Sequence, residues 1–190
     1  MLNPFRRGSD PHVLVVSMTG VKLGERLAQI GCAHGGRLAA VAAKVGLSGR
    51  AVAIVPDEAS AARARAGAAE AGVLVEVETA PPTRLPVENE GFDLVVIDET
   101  GGLLRTMRVE DRAATVREVL RILRPGGRVM VIAGGPRGGI GAWLSRTPDA
   151  EPFNAAPELQ TGGFRSVRTL AEREGLVFVE GIKPRHPALN

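Results

Sequence analysis

The feature that most constrains this fold is a buried apolar strand that runs directly into a glycine-rich turn. The strand is predicted over Leu27–Ile30, the turn over residues 31–36, and the following helix over Arg37–Val45. Glycine lets a backbone approach a ligand closely, because no side chain intervenes. The N-terminus of a helix presents free N–H groups to polar or anionic ligand atoms. We therefore predict a ligand-binding turn built around Gly31 and Gly35.

Strand-like and helix-like segments alternate along most of the chain, which predicts a parallel sheet with helices on both faces. Further strands are predicted over Ala51–Val55, Leu74–Glu78 near the sheet edge, Phe92–Asp98 and Arg128–Ile132. Helices are predicted from Asp57 or Ser60 to Ala71 and over Arg112–Leu123. The segments Ser166–Glu172 and Leu176–Ile182 flank Glu174-Gly175, which predicts a closing antiparallel hairpin.

The 190 residues are predicted to form one domain, because the length suits a single core and no internal repeat is visible. Residues 1–17 are predicted to be an N-terminal extension that precedes the core. Residues 133–160 are rich in glycine, proline and small residues, which predicts a loop-rich excursion with one short helix near Trp143.

The composition is that of a globular protein, with 44% hydrophobic and 24% charged residues. No apolar run approaches the roughly 20 residues that a transmembrane helix needs, so no membrane partner is expected. The single cysteine, Cys32, excludes an internal disulfide and favours a reducing, cytoplasmic location.

A nucleic-acid partner is not expected either. The net charge is only +3, and no block of five basic residues occurs. Aromatic residues make up 3% of the chain and tyrosine is absent, so little is available for stacking on unpaired bases.

Other nucleotide-binding classes lack their motifs here. The glycines Gly31, Gly35 and Gly36 do not give the dinucleotide pattern G-x-G-x-x-G, and no phosphate-loop motif G-x-x-x-x-G-K-[ST] occurs. The absence of tyrosine also excludes a tyrosine-dependent short-chain dehydrogenase.

Five stretches, in this order, resemble the class I S-adenosylmethionine-dependent methyltransferases, especially the small-molecule type 11 branch. They are Thr19–Arg26, Ile30–Gly35, Arg84–Val87 with Gly91–Val95, Val119–Gly127, and Gly163-Phe164. The resemblance implies an α/β, Rossmann-like three-layer sandwich with a seven-stranded, mostly parallel sheet and a C-terminal antiparallel hairpin. It also implies S-adenosylmethionine as the cofactor and a small molecule as the substrate.

The resemblance further implies which residues bind the cofactor. They are Gln29, Gly31, Ala33, Gly35, Val55, Pro56, Asp57 and Leu85. Four positions depart from the family pattern. Gln29 and Val55 stand where the family carries acids for the amino end and the ribose of the cofactor, Ala33 replaces the middle glycine of the turn, and Pro81-Pro82 replaces the acid near the adenine. Asp57 and Glu58 lie just beyond Val55 and are candidate substitutes.

Asp98 and His34 are the candidate catalytic residues, each as a proton acceptor. Asp98 ends the fourth predicted strand at the carboxyl edge of the sheet, where open α/β folds bind ligands. Two structural interpretations stay open: Asp98 as a cap of the segment Glu99–Leu104, and His34 as a solvated loop histidine. No metal site is predicted.

Three functions therefore remain. The first is a methyltransferase that acts on a small molecule. The second is a catalytically inactive methyltransferase-like binding or interaction module, which would present its exposed sheet edge or a loop to a partner such as a second copy in a homodimer. The third is a site for a ligand with a phosphorylated ribose, which does not need an acid at Val55.

Overall fold

The computed structural model describes residues 12–134 and 153–185. Its strands are β1 (Arg26–Ile30), β2 (Arg50–Val55), β3 (Glu76–Thr79), β4 (Phe92–Glu99), β5 (Leu123–Gly134), β6 (Arg165–Arg173) and β7 (Leu176–Ile182). Its helices are α1 (Val13–Thr19), α2 (Gly35–Val45), α3 (Glu58–Ala71), α4 (Val109–Ile122) and α5 (Ala156–Thr161).

All seven strands form one sheet in the order β3-β2-β1-β4-β5-β7-β6. The pairs from β3 to β5 are parallel, whereas β7 runs antiparallel to both β5 and β6. Glu174 and Gly175 both have positive φ, 54° and 69°, as a tight hairpin turn requires. The predicted mostly parallel sheet with a closing hairpin is confirmed, and β3 lies at the sheet edge as predicted.

The sheet is the middle of three layers. On one face, α1 and α2 pack through Val15 and Val41 against strand residues such as Leu94. On the other face, α4 packs through Val116 and Val119. Nowhere in the described ranges is a helix long and apolar enough to cross a membrane.

The structure places a helix inside the predicted N-terminal extension. α1 begins at Val13, and its Val15 is only 2% exposed. The helix has no side-chain N-cap bond and no acidic residue in its first turn. Because these local signals are lacking, the packing of its apolar face stabilises it.

The loop-rich excursion also contains regular structure. β5 continues to Gly134, and residues 156–161 form α5 with Leu159 buried. The short helix predicted near Trp143 lies outside the described residues. β5 also begins at Leu123, five residues before the predicted start at Arg128, because Leu123 pairs with Phe92 across an irregularity in the register.

Candidate functional site

The turn after β1 lies at the carboxyl edge of the sheet and requires a glycine at its first position. Gly31 has φ +78°, and a Cβ there would lie 3.0 Å from Leu103 Cδ2 and 3.2 Å from the Asp98 carbonyl oxygen. Its N–H donates to the Ile54 carbonyl at 2.9 Å. A side chain at this position would therefore be both strained and crowded.

A cleft of about 390 Å³ opens beside this turn. Its walls come from the carboxyl ends of three neighbouring strands: Gly31, Cys32 and Ala33 after β1, Pro56 and Asp57 after β2, and Asp98 with Gly101–Leu103 after β4. This edge is the usual ligand site of open α/β sheets, and the volume lies in the range of small-molecule sites.

Asp98 ties the turn to β4. The residue is only 2% exposed. Its carboxylate accepts hydrogen bonds from the Ala33 N–H at 2.9 Å, the Thr100 hydroxyl at 2.5 Å, the Thr100 N–H at 3.2 Å and Arg37 Nη1 at 3.3 Å. Both oxygens are therefore engaged in holding the turn, α2 and the end of β4 together.

Glu99 is a second buried acid that the sequence interpretation did not single out. It is 1% exposed and accepts hydrogen bonds from the N–H groups of Leu104 and Arg105. Burial raises the pKa of its carboxyl above the ordinary value. These bonds fix the segment that carries Leu103 over Gly31. A second acid directly after Asp98 was the signal that could have identified it.

The end of β2 separates two residues that were both predicted to bind cofactor. Val55 is fully buried and belongs to a cluster with Ala61 and Ala64 of α3, so its side chain faces the core. Asp57 is exposed at the cleft and caps α3, accepting from the Ser60 N–H at 2.7 Å. That hydrogen bond lowers the pKa of Asp57, which keeps its carboxylate ionised. The predicted cap is thus confirmed for Asp57.

Gln29 and Gly35 support the turn from within the protein. Gln29 is 1% exposed, and its Nε2 donates to the Gly31 carbonyl at 3.1 Å. A Cβ on Gly35 would lie 2.2 Å from the Arg63 carbonyl oxygen and 3.1 Å from Gly67 Cα. The glycine at position 35 therefore lets α2 and α3 meet backbone to backbone.

Leu85 lies elsewhere. It is 3% exposed, and its N–H donates to Glu118 Oε2 of α4 at 2.7 Å. It lines a separate depression that also contains Arg84 and Arg121. The structure thus brings Gly31, Ala33, Pro56 and Asp57 together in the cleft but does not bring Leu85 to them.

The site region contains two arginines that the sequence interpretation did not identify, Arg63 and Arg37. Arg63 of α3 lines the cleft, and it donates from Nε to the Cys32 carbonyl at 3.1 Å and from Nη2 to the Ser60 hydroxyl at 2.8 Å. Arg37 lies in the first turn of α2, where a cation opposes the helix dipole. That unfavourable placement was a sequence signal that Arg37 has a specific task.

The two candidate proton acceptors line different cavities. Asp98 lines the cleft, whereas the exposed His34 lines a second cavity of about 310 Å³ together with His12, Arg37 and Glu174. His34 is the N-cap residue of α2, but its side chain makes no cap hydrogen bond. The structure thus separates His34 from Asp98, and its role as a proton acceptor stays a prediction.

Cys32 is not a nucleophile candidate. Burial, with a contribution from Asp98, raises the pKa of its thiol to about 11, so the sulfur stays protonated. Across residues 12–134 and 153–185, no group of three His, Cys, Asp or Glu side chains is arranged to hold a metal ion.

Comparison with known proteins agrees with this architecture. The sequence model of a methyltransferase domain family matches residues 28–127. An S-adenosylmethionine-dependent methyltransferase from Aquifex aeolicus is 19% identical with a TM-score of 0.72, over 95% of this chain and 94% of its own. The cyclase SpnF is 20% identical with a TM-score of 0.67, over 91% of this chain and 79% of its own. An S-adenosylmethionine-dependent O-methyltransferase from Thermotoga maritima is 16% identical with a TM-score of 0.65, over 93% of this chain and 65% of its own. At these identities the structural likeness establishes the fold.

Proposed function

Because the chain belongs to the methyltransferase domain family, we propose that it transfers a methyl group from S-adenosylmethionine to a small-molecule acceptor. The observation that carries the proposal is the cleft of about 390 Å³ where the ends of β1, β2 and β4 meet. The cofactor is the one that the family uses, and the cleft has the size and position that a nucleoside-containing ligand requires.

The residues around the cleft fit this cofactor despite the altered motif. The backbone of Gly31, Cys32 and Ala33 lines the cleft, and Gly31 supplies the positive φ of 78° that the turn adopts. Asp57 offers an ionised, exposed carboxylate to ribose hydroxyls in place of the buried Val55. Gln29 keeps the Gly31 carbonyl paired from behind the turn. The acid at Asp57 thus takes over the task that the family assigns to the end of β2.

When bound, the cofactor would supply a methyl group on a positively charged sulfur. An oxygen, nitrogen or carbon nucleophile of the acceptor would attack the methyl carbon in line, and the carbon–sulfur bond would break to leave S-adenosylhomocysteine. Such a reaction depends mainly on positioning. In this proposal Asp98 positions the turn through Ala33 and α2 through Arg37. His34, which faces the second cavity, accepts the proton that the nucleophile loses.

The test is calorimetric titration of the purified protein with S-adenosylmethionine and S-adenosylhomocysteine, using the Asp57→Asn variant. Asparagine is as good an N-cap as aspartate, so α3 keeps its cap while the charge is lost. A hydrogen bond to a charged group contributes about 1.5–3 kcal/mol, so we expect binding to weaken about tenfold to a hundredfold. Glu58→Gln is the matched control, because Glu58 is paired with Arg65 at 2.6 Å instead of lining the cleft.

Two results would overturn these assignments. Equal affinity in the wild type and Asp57→Asn would remove Asp57 from the binding site. Absence of heat with both ligands would reject the methyltransferase, and the inactive binding or interaction module would then become the working hypothesis.

A further inference from the structure

The second cavity, of about 310 Å³, has no task in the cofactor site. We propose that it binds a carboxylate group of the methyl acceptor, and that Arg37 is the residue that recognises it. The inference rests on the proposed function and names its substrate class, a small monocarboxylate. The cavity is lined by His12, Val15, His34, Arg37, Glu174 and Leu176.

The guanidinium of Arg37 is only partly used by the protein. Nη1 donates to the Thr100 hydroxyl at 2.8 Å and to Asp98 Oδ1 at 3.3 Å. Nε is buried and has no hydrogen-bond partner among the described residues, and none of them accepts from Nη2. A buried donor without a partner is costly, so its retention calls for a ligand or an ordered molecule beside it.

The unused side of the guanidinium is the one that binds carboxylates best. Nε–H and Nη2–H are parallel donors that match the two oxygens of a carboxylate. An arginine kept only for its ion pair with Asp98 would be expected to direct this fork at Asp98. Instead only Nη1 reaches Asp98 and Thr100, and neither of these residues accepts from Nε or Nη2.

The other walls restrict which anion fits. Val15 and Leu176 give the cavity an apolar side, which favours a ligand with a hydrocarbon part. Glu174 places a negative charge on the same cavity, which disfavours a dianion such as phosphate. His34 adds a ring nitrogen that is able to donate to a bound oxygen. These features together favour a monocarboxylate with a short apolar chain.

One side-chain pair connects the wall of this cavity with the wall of the cofactor cleft. Asp98 lines the cleft and Arg37 lines the second cavity, and the two are linked at 3.3 Å. An acceptor held by Arg37 would therefore lie next to the carboxyl ends of β1 and β4, with His34 on the same cavity wall.

The proposal is tested by titrating the protein with sodium butyrate while the ring signals of its histidines are followed by NMR, at constant pH and ionic strength. The chain has only 3 histidines, so each signal is assignable by single replacement. We expect the signals of His12 and His34 to shift saturably as butyrate is added. Sodium chloride at matched concentration controls for general anion effects.

Arg37→Lys is the decisive variant, because lysine retains a cation for Asp98 and Thr100 but lacks the two-donor fork. We expect it to weaken butyrate binding about tenfold or more. Arg65→Lys is the matched control, since Arg65 is exposed on α3 and pairs with Glu58; it should leave butyrate binding unchanged. Glu174→Gln tests the charge argument without touching Arg37 and should permit binding of inorganic phosphate.

Butyrate shifts of equal size and affinity in the wild type and Arg37→Lys would overturn the proposal, as would the absence of any shift. If Arg37→Lys unfolds, failure of Glu174→Gln to gain phosphate binding would overturn it. A weaker affinity of Arg37→Lys for S-adenosylhomocysteine but not for butyrate would assign Arg37 to the cofactor instead. Because butyrate binding is measured without cofactor, failure of the methyltransferase proposal remains a separate result.

Discussion

An arginine–carboxylate ion pair lies at each end of the parallel strands, buried at the carboxyl ends and exposed to solvent at the amino ends. These two ends are called the carboxyl edge and the amino edge of the sheet. At the carboxyl edge, the side chains of Arg37 and Asp98 are 12% and 1% exposed and lie 3.3 Å apart. At the amino edge, the side chains of Arg50 and Glu76 are 32% and 54% exposed and lie only 2.7 Å apart. The shorter pair is thus the more exposed one. Distance does not rank these interactions, because solvent screens the amino edge while burial raises the cost of an unpaired charge at the carboxyl edge.

The largest effect is expected for Asp98→Ala. Removing one partner of a buried pair leaves Arg37 uncompensated, which costs about 3–5 kcal/mol of unfolding free energy. Glu76→Ala at the amino edge should cost at most about 1 kcal/mol. Urea unfolding of both variants measures the difference. Equal losses at the two edges would show that burial does not decide the energetics here.

A smaller effect is expected for Gly35→Ala, which tests whether backbone packing behind the cleft is rigid. A Cβ at Gly35 would meet backbone atoms of Arg63 and Gly67, so we expect a loss of about 1–3 kcal/mol from overpacking. Gly36→Ala is the matched control, because a Cβ there meets only the flexible His12 ring, at 3.0 Å from Nε2. Thermal unfolding should separate the two variants, and similar midpoints would contradict a close helix contact.

The smallest expected effect is a difference in pH dependence between the edges. Burial raises the pKa of Glu99, so its contribution to stability is present below the unfolded value and is lost as the pH rises through the folded value. The hydrogen bond from Arg50 lowers the pKa of Glu76, so its contribution is present above the unfolded value and is lost as the pH falls.

Urea midpoints of the wild type, Glu99→Gln and Glu76→Gln, measured from pH about 3 to about 8, test this contrast across the acid range. Relative to Glu99→Gln, the wild type should lose stability as the pH rises. Relative to Glu76→Gln, the wild type should lose stability as the pH falls. Slopes of the same sign would contradict the assignment of a desolvated acid to one edge and a paired acid to the other.

The sequence predicted β1, β2 and β4 well because these strands are buried apolar runs bounded by clear turns. It did not predict α1, since Val13–Thr19 carries no capping signal and depends on packing against α2. The early start of β5 was missed for a related reason. Leu123 precedes a Pro-Gly-Gly turn in the sequence, and only its pairing with Phe92 makes it part of the strand.

The candidate site was predicted in part. Alignment to a motif assigns a position in the chain but not the burial of its side chain. It could not show that Val55 is buried in the core while Asp57, two residues later, lines the cleft. The task of Asp98 was open in the sequence, and its four hydrogen bonds now account for its position. The cavity beside Arg37 combines residues from α1, α2 and the β6–β7 turn, a combination that only the folded chain creates.

The contact between Gly35 and Gly67 also bears on how the protein selects ligands. At this contact no side chain separates α2 from α3, whereas farther along the same helices Leu38 packs with Ala61 and Ala64. A backbone contact of this kind resists displacement of the first turn of α2 relative to α3. If the cleft binds the cofactor as proposed, the contact favours selection of ligands by size over closure around them.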